Sequence, residues 1–227
     1  MLTYKEQQKL FNKYVKHGKT PIRDSLDRNF ALNDKFSFLE NTISYTCIAF
    51  LDISGFSLTI QDFDTDDIKD YLEDYYQRII PIISKYSGKI DKIMGDGIVV
   101  IFSEDFGDDN DINPIFNAFC CCADAIEEFM DSDKPIKASI SSGDVVFCKT
   151  GVEQFYEELS CLGHPITVAY RLEAIAEKNQ ILILDDSDIA NQISDVFNGD
   201  DVEWDTYLIK CNLQGLPEDQ KVQILQF

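Results

Sequence analysis

The 227-residue chain is long enough to bury a sizeable core as one large domain, or as one domain with an appendage. Its 41 acidic residues outnumber 20 basic ones and leave a net charge of −21, which excludes a nucleic-acid binder working through a basic surface. An anionic small molecule remains open to such a chain only where metal ions and a few placed cations overcome the general repulsion.

The apolar fraction of 44% and charged fraction of 27% are those of a folded protein. No apolar run approaches the roughly 20 residues of a membrane span. The opening stretch MLTYKEQQKLFNKYVKHGKT has no apolar signal-peptide core, so a cytoplasmic location without a membrane partner is expected. The 7 cysteines fit that compartment, being odd in number, with Cys120, Cys121 and Cys122 adjacent and no CxxC pair. They read as reduced apolar fillers, and His17 and His164 as ordinary polar residues.

Residues 1–42 read as a helical leader and connector, and residues 43–227 as the main domain. TISYTCIAFLDI is rich in β-branched and aromatic residues and predicts a central strand. DTDDIKDYLEDYYQRIIPIISKYSG opens on capping residues and carries Ile68, Leu72, Tyr75, Ile79, Ile82, Ile83 and Tyr86 at helical spacing, with Pro81 expected to kink or break it. KIDKIMGDGIVVIFS, two apolar runs around Gly95-Asp96-Gly97, predicts a tight β-hairpin. NPIFNAFCCCADAIEEFMDS predicts a helix with Pro114 in its first turn, and IKASISSGDVVFC a strand, a turn and a strand. Then come a helix in ITVAYRLEAIAEKN, a strand in QILILDD, a helix in SDIANQISDVF, and strands in DTYLIKCNL and KVQILQF. The order βαββαβ predicts an α+β fold: a ferredoxin-like core with helices on one face of a mainly antiparallel sheet, plus C-terminal strands and the N-terminal helical leader.

FLDISGFS raises the chemical question, because a strand of apolar residues ends on Asp52. A carboxylate there either caps a helix or holds something positive. In this fold the strand lies beside the hairpin, so Asp52 and Asp96 can converge. Paired carboxylates repel unless a divalent cation sits between them, and hard oxygen ligands suit Mg²⁺ or Mn²⁺ with positions open for phosphate. Two such ions serve phosphoryl transfer, one at the attacking hydroxyl and one at the leaving phosphates. The turn Ser54-Gly55-Phe56 offers backbone N–H groups to a triphosphate, with Gly55 permitting close approach. Taken singly, Asp52 is compatible with a cap and Gly-Asp-Gly with a plain hairpin.

FLDISGFS, GKIDKIMGDGIVVIF, SISSGDVV and GHPITVAYRLEAIA together resemble, in order and spacing, the class III nucleotide cyclase domain, over about residues 44–185. The resemblance implies two divalent cations, Mn²⁺ or Mg²⁺, held by Asp52, Asp96 and the backbone carbonyl of Ile53. It also implies a homodimer with composite active sites, where Arg171 reaches across from the partner to steady the transition state. Lys210 resembles the lysine that grips the triphosphate, and Lys92 and Ser160 fall where purine cyclases read the base. The plain alternatives are a solvated helix arginine for Arg171 and an exposed strand lysine for Lys210. Lys92 stands between the apolar residues Ile90 and Ile93, where an unpaired ammonium is costly, so a specific partner is expected.

Departures from the family pattern fall at the ribose and base end. Thr167 stands one helical turn before Arg171, where an asparagine commonly orients the ribose; it keeps a hydroxyl but loses the amide's reach. Gly163-His164 and Ser87-Gly88 replace the common Gly-Asp or Gly-Asn and Gly-Gly pairs. With the phosphate and metal positions retained and the chain close to a bare cyclase domain, the layout resembles stand-alone pyrimidine cyclases of bacterial antiphage defence. The expectation is conversion of UTP, or CTP, to the 3′,5′-cyclic nucleotide and pyrophosphate, read by a separate cyclic-nucleotide effector. The alternatives are an adenylate cyclase, favoured by the Lys92–Ser160 pair, and a catalytically silent nucleotide-binding domain.

Overall fold

The computed structural model describes residues 39–106, 113–152, 156–196, 204–216 and 218–227. The helix expected over residues 1–20, and nearly all of the leader and connector, lie outside the described residues. The strands are β1 (Thr42–Ile53), β2 (Lys89–Met94), β3 (Gly97–Phe102), β4 (Ile136–Val152), β5 (Tyr156–Leu162), β6 (Gln180–Leu184), β7 (Asp205–Asn212) and β8 (Asp219–Gln226). The helices are α1 (Phe56–Thr59), α2 (Thr65–Lys85), α3 (Pro114–Phe129), α4 (His164–Glu173) and α5 (Asp188–Val196). One sheet of 8 strands runs in the order β2-β3-β1-β4-β6-β8-β7, with β5 paired to β4 off that path. All the pairings are antiparallel except β4 with β6.

Alternation along β1 decides which residue faces where. Cys47, Ala49, Leu51 and Ile53 point into the large core against α2, α3 and α5. Ile48 and Phe50 point the other way, into a smaller cluster with Ala169 of α4. Thus, among the described residues, α2, α3 and α5 cover one face, and α4 alone crosses the opposite one. Asp52 shares the face of Phe50, so the acidic residue comes out beneath α4 rather than in the main core.

Helix α2 begins on a capping box, Asp64 accepting from the amides of Asp66 and Asp67 while Asp67 returns the bond. It continues unbroken through Pro81. The ring costs about 3 kcal/mol or more in a helix interior, but Tyr71, Tyr75, Ile79 and Ile83 form one buried stripe. At about 1.5–3 kcal/mol for each buried side chain, that stripe outweighs the loss. Asn113 caps α3 through the amides of Ile115 and Phe116.

The strand, turn and strand expected in IKASISSGDVVFC are a single strand, β4. Ser141, Ser142 and Gly143 keep their pairing with Ile48, Cys47 and Thr46, so the ladder has no room for a turn. Gly143 adopts φ 147° with Pro165 Cγ 3.0 Å from where a Cβ would stand, which is why glycine occupies the position. Strand β5 has no counterpart in the sequence reading; it extends the far end of β4, pairing Val146↔Leu162 through Val152↔Tyr156.

Candidate active site

The β1–β3 register, Leu51↔Ile98, carries the β2–β3 turn to the end of β1 and so lays Asp96 beside Asp52 and Ile53. Their closeness shows in three ways. The two carboxylates share a hydrogen bond, the Ile53 amide donates to Asp96, and a Cβ on Gly97 would stand 3.3 Å from Asp52 Oδ1. Gly95, at φ 66°, makes the turn possible, and the Tyr76 hydroxyl of α2 donates to its carbonyl, fixing the loop. Burial, the Asp96 charge and the shared hydrogen bond push the Asp52 carboxyl up to about 6, and burial raises Asp96 as well.

After Asp52 the chain turns through Ser54, whose amide donates to the Pro135 carbonyl at 2.8 Å, and Gly55 at φ 78°. Phe56 then opens the short helix α1, with Leu58 and Thr59 donating back to the Gly55 carbonyl.

Two residues beside Asp52 escaped the sequence reading. Lys137 of β4 is the cross-strand partner of Asp52, with Nζ 3.4 Å from Asp52 Oδ2 and 2.6 Å from Glu173 Oε1 of α4. Burial lowers the Lys137 pKa, but Glu173 and Asp52 outweigh that and leave it raised. The sequence held a signal: a lysine between apolar strand residues needs a partner, the argument applied to Lys92.

At the base-reading positions, Lys92 Nζ donates to Glu158 Oε1 at 3.3 Å, and Ser160 Oγ donates to the same oxygen at 3.2 Å. Lys92 and Ser160 therefore meet through Glu158, a residue on the same face of β5 as Ser160 that the sequence reading did not single out. Thr150 Oγ1 lies 2.8 Å from Ser160 Oγ and completes the chain of polar contacts.

The remaining candidates stand apart from the acidic pair within one chain. Thr167 is exposed on α4. Arg171 leaves its Nε buried without a hydrogen-bond partner among the described residues, and its Nη2 lies 4.0 Å from where a Cβ on Gly215 would be, in the β7–β8 connection. Lys210 pairs across strands with Lys221, whose neighbour Val222 packs with Val168 and Leu172 of α4. Lys210 thus lies on the face of β7 away from α4 and from Asp52, 68% exposed and 3.8 Å from Asp219 Oδ2.

A glycine-to-alanine change tests how tightly this corner is built. A Cβ at Gly97 would approach Phe50 Cε2 to 2.9 Å as well as Asp52, so Gly97→Ala is expected to lose about 1–3 kcal/mol in urea unfolding. A variant as stable as the wild type would show that the corner has slack.

Two half-buried carboxylates at adjoining strand ends, beneath a single crossing helix on an open α+β sheet, define a catalytic domain of the class III nucleotide cyclase type. The chain belongs to that family: the model of the adenylate and guanylate cyclase catalytic domain matches residues 39–202. It is 29% identical over 141 residues to a terminal-differentiation-specific adenylate cyclase of Dictyostelium discoideum, a match covering 60% of this chain and 7% of that protein. It is 26% identical over 172 residues to a cytidylate cyclase of Staphylococcus aureus, covering 69% of this chain and 40% of the relative. The chain therefore spans well under half of each relative's length. Among solved structures, the adenylyl cyclase CyaB from P. aeruginosa superposes with a TM-score of 0.70 at 20% identity, covering 83% of this chain and 97% of that one. The guanylyl cyclase Cya2 gives 0.66 at 19% identity, covering 82% and 93%.

Among the described residues, no cluster of three or more His, Cys, Asp or Glu side chains is arranged to hold a metal. The oxygen donors are two carboxylates with the Ile53 backbone beside them. Such a hard, doubly charged set fits a divalent cation that keeps positions for phosphate oxygens. No helix among the described residues is long and apolar enough to cross a membrane.

Proposed function

We propose that this protein is a pyrimidine nucleotide cyclase, closing UTP or CTP to the 3′,5′-cyclic nucleotide with release of pyrophosphate. The observation that carries the cyclase reading is the convergence of Asp52 and Asp96, side by side and both raised in pKa, chiefly by burial. Divalent cations bound there supply charge neutralisation and an acidified ribose hydroxyl.

The chain's own residues do the rest. Asp52 and Asp96 would hold the cations at the mouth of the Ser54–Phe56 turn, where the Ser54 amide already donates to the Pro135 carbonyl and phosphate contact would fall to the amides of Gly55 and Phe56. Arg171, from the partner in a homodimer, contributes a fixed guanidinium toward charge developing on the phosphate oxygens. At the other end of the nucleotide, the Lys92 ammonium and Glu158 carboxylate form a donor–acceptor pair. That pair matches O4 and N3–H of uracil or N3 and the amino group of cytosine.

One finding favours a pyrimidine: the Staphylococcus relative is a cytidylate cyclase. A second reading has its own support. The same Lys92–Glu158–Ser160 group matches N1 and N6 of adenine, and the Dictyostelium relative is an adenylate cyclase. A role in antiviral defence, with a separate effector reading the product, goes with the pyrimidine reading.

Purified protein incubated with each of the four ribonucleoside triphosphates and Mn²⁺, with products separated by chromatography, decides the matter. Cyclic UMP or cyclic CMP as the main product is expected. Cyclic AMP alone would establish the second reading, and no product from any of the four would remove both.

A further inference from the structure

The ion pair buried under α4 does more than fill space. Lys137, Asp52 and Glu173 have side chains only 17%, 18% and 14% exposed. The Lys137 ammonium leans unequally, close to Glu173 at 2.6 Å and farther from Asp52 at 3.4 Å. Asp52 in turn touches Asp96 on its other side. Asp52, Asp96 and Glu173 against the single Lys137 leave an excess of two negative charges, the amount one divalent cation neutralises.

We propose that Lys137 is an internal counter-ion that holds Asp52 in the metal-free protein and withdraws wholly onto Glu173 when a divalent cation binds. The inference rests on the metal reading of Asp52 and Asp96 and adds to it two positioning residues, Lys137 and Glu173.

The physical argument concerns where the ammonium goes. An arriving cation repels Lys137, and a half-buried lysine with no other partner would be left uncompensated at high cost. Glu173 removes that cost, since the shorter of the two bonds survives the exchange. The β4 register fixes Lys137 opposite Asp52, and α4 fixes Glu173 above it, so the exchange needs only a small movement of one flexible side chain. Lys137 therefore competes with the cation for Asp52, and Glu173 competes with Asp52 for Lys137. Removing either one shifts cation affinity, in opposite directions.

The test uses Mn²⁺ alone with the full-length, nucleotide-free protein at pH 8.5, reading free and bound Mn²⁺ by electron paramagnetic resonance. Lys137→Met is expected to bind Mn²⁺ about fivefold tighter than wild type, and Glu173→Gln about fivefold weaker. The double variant is expected to bind a little more weakly than Lys137→Met and more tightly than Glu173→Gln, because Glu173 holds the lysine and also places its own charge beside Asp52. Unchanged or weaker binding in Lys137→Met overturns the proposal, as does a double variant that binds far more weakly than Lys137→Met, which would make Glu173 a direct ligand. Should Lys137→Met fail to fold, Lys137→Gln asks the same question. Wild-type protein that binds no Mn²⁺, or an Asp96→Asn variant that binds it normally, would instead bring down the metal reading itself, and the proposal with it.

Discussion

Asp52→Asn protein is expected to lose cyclic nucleotide formation by about a thousandfold or more while its metal-free fold becomes more stable than the wild type. The first half follows from removing one of the two carboxylates on which cation binding depends. The second half follows from the pKa. Burial and the neighbouring Asp96 push the Asp52 carboxyl up to about 6, above its ordinary value. The folded protein thus holds this proton more tightly than the unfolded chain does. That contribution favours the fold fully below about pH 4 and is lost as pH rises through about 6.

At neutral pH, without metal, Asp52 is charged at a cost that asparagine does not carry. The gain is on the order of 2 kcal/mol at pH 7.5, the lowering effect of Lys137 being already contained in the value of about 6. It should vanish near pH 4, where the wild-type carboxyl is protonated. Asp91, at the β2 bulge, is also pushed up to about 6 by burial, but it titrates alike in both proteins and cancels in the comparison. Urea unfolding in EDTA at the two pH values, beside a turnover assay, checks both halves. An Asp52→Asn protein that is active, or less stable at pH 7.5, contradicts the assignment of Asp52 as a strained ligand kept for a cation.

The sequence carried much of this arrangement, and its failures have identifiable causes. β1, the hairpin and α2 were legible because strand and helix periodicities, the Gly-Asp-Gly turn and the Asp64 cap all agree locally. The meeting of Asp52 and Asp96 follows from those same elements once β1 is placed beside the hairpin. Strand β5 was not legible: in YEELSCL the acidic Glu157 and Glu158 interrupt the apolar pattern, and the strand is held by its ladder with the long extension of β4.

Lys137 and Glu173 were missed for a different reason. Their meeting with Asp52 depends on the β1–β4 register and on α4 crossing the second face of the sheet, both consequences of long-range packing. No local periodicity reports which helix lies over which strand. Lys92 marks the boundary between the two cases. Its need for a partner could be read from the apolar residues around it, but the identity of that partner, Glu158, could not.

A mixture of two inactive proteins, Asp96→Asn and Arg171→Ala, is expected to regain about a quarter of wild-type activity. Random pairing of the two chains makes half the dimers mixed, and each mixed dimer holds one whole site out of two. The structure gives the reason to expect composite sites. Arg171 keeps a buried Nε without a hydrogen bond among the described residues and points toward the Gly215 turn of its own chain, not toward Asp52. A guanidinium arranged in that way would be free to serve a site that one chain does not complete. Among the described residues, the sheet face under α4 is also incompletely covered. Met94, beside the metal hairpin and within reach of the Tyr170 hydroxyl, is 44% exposed, and Tyr207 and Ile209 on β7 are 52% and 36% exposed on that same face. Apolar side chains flanking a lone helix on both sides are what a second copy of the chain would cover. Size-exclusion chromatography of the mixture confirms that dimers formed, and the product assay then reads the outcome. Dimers that stay inactive would place Arg171 in the same subunit's site, because an arginine acting in its own chain is never paired with an intact Asp96 from the other protein.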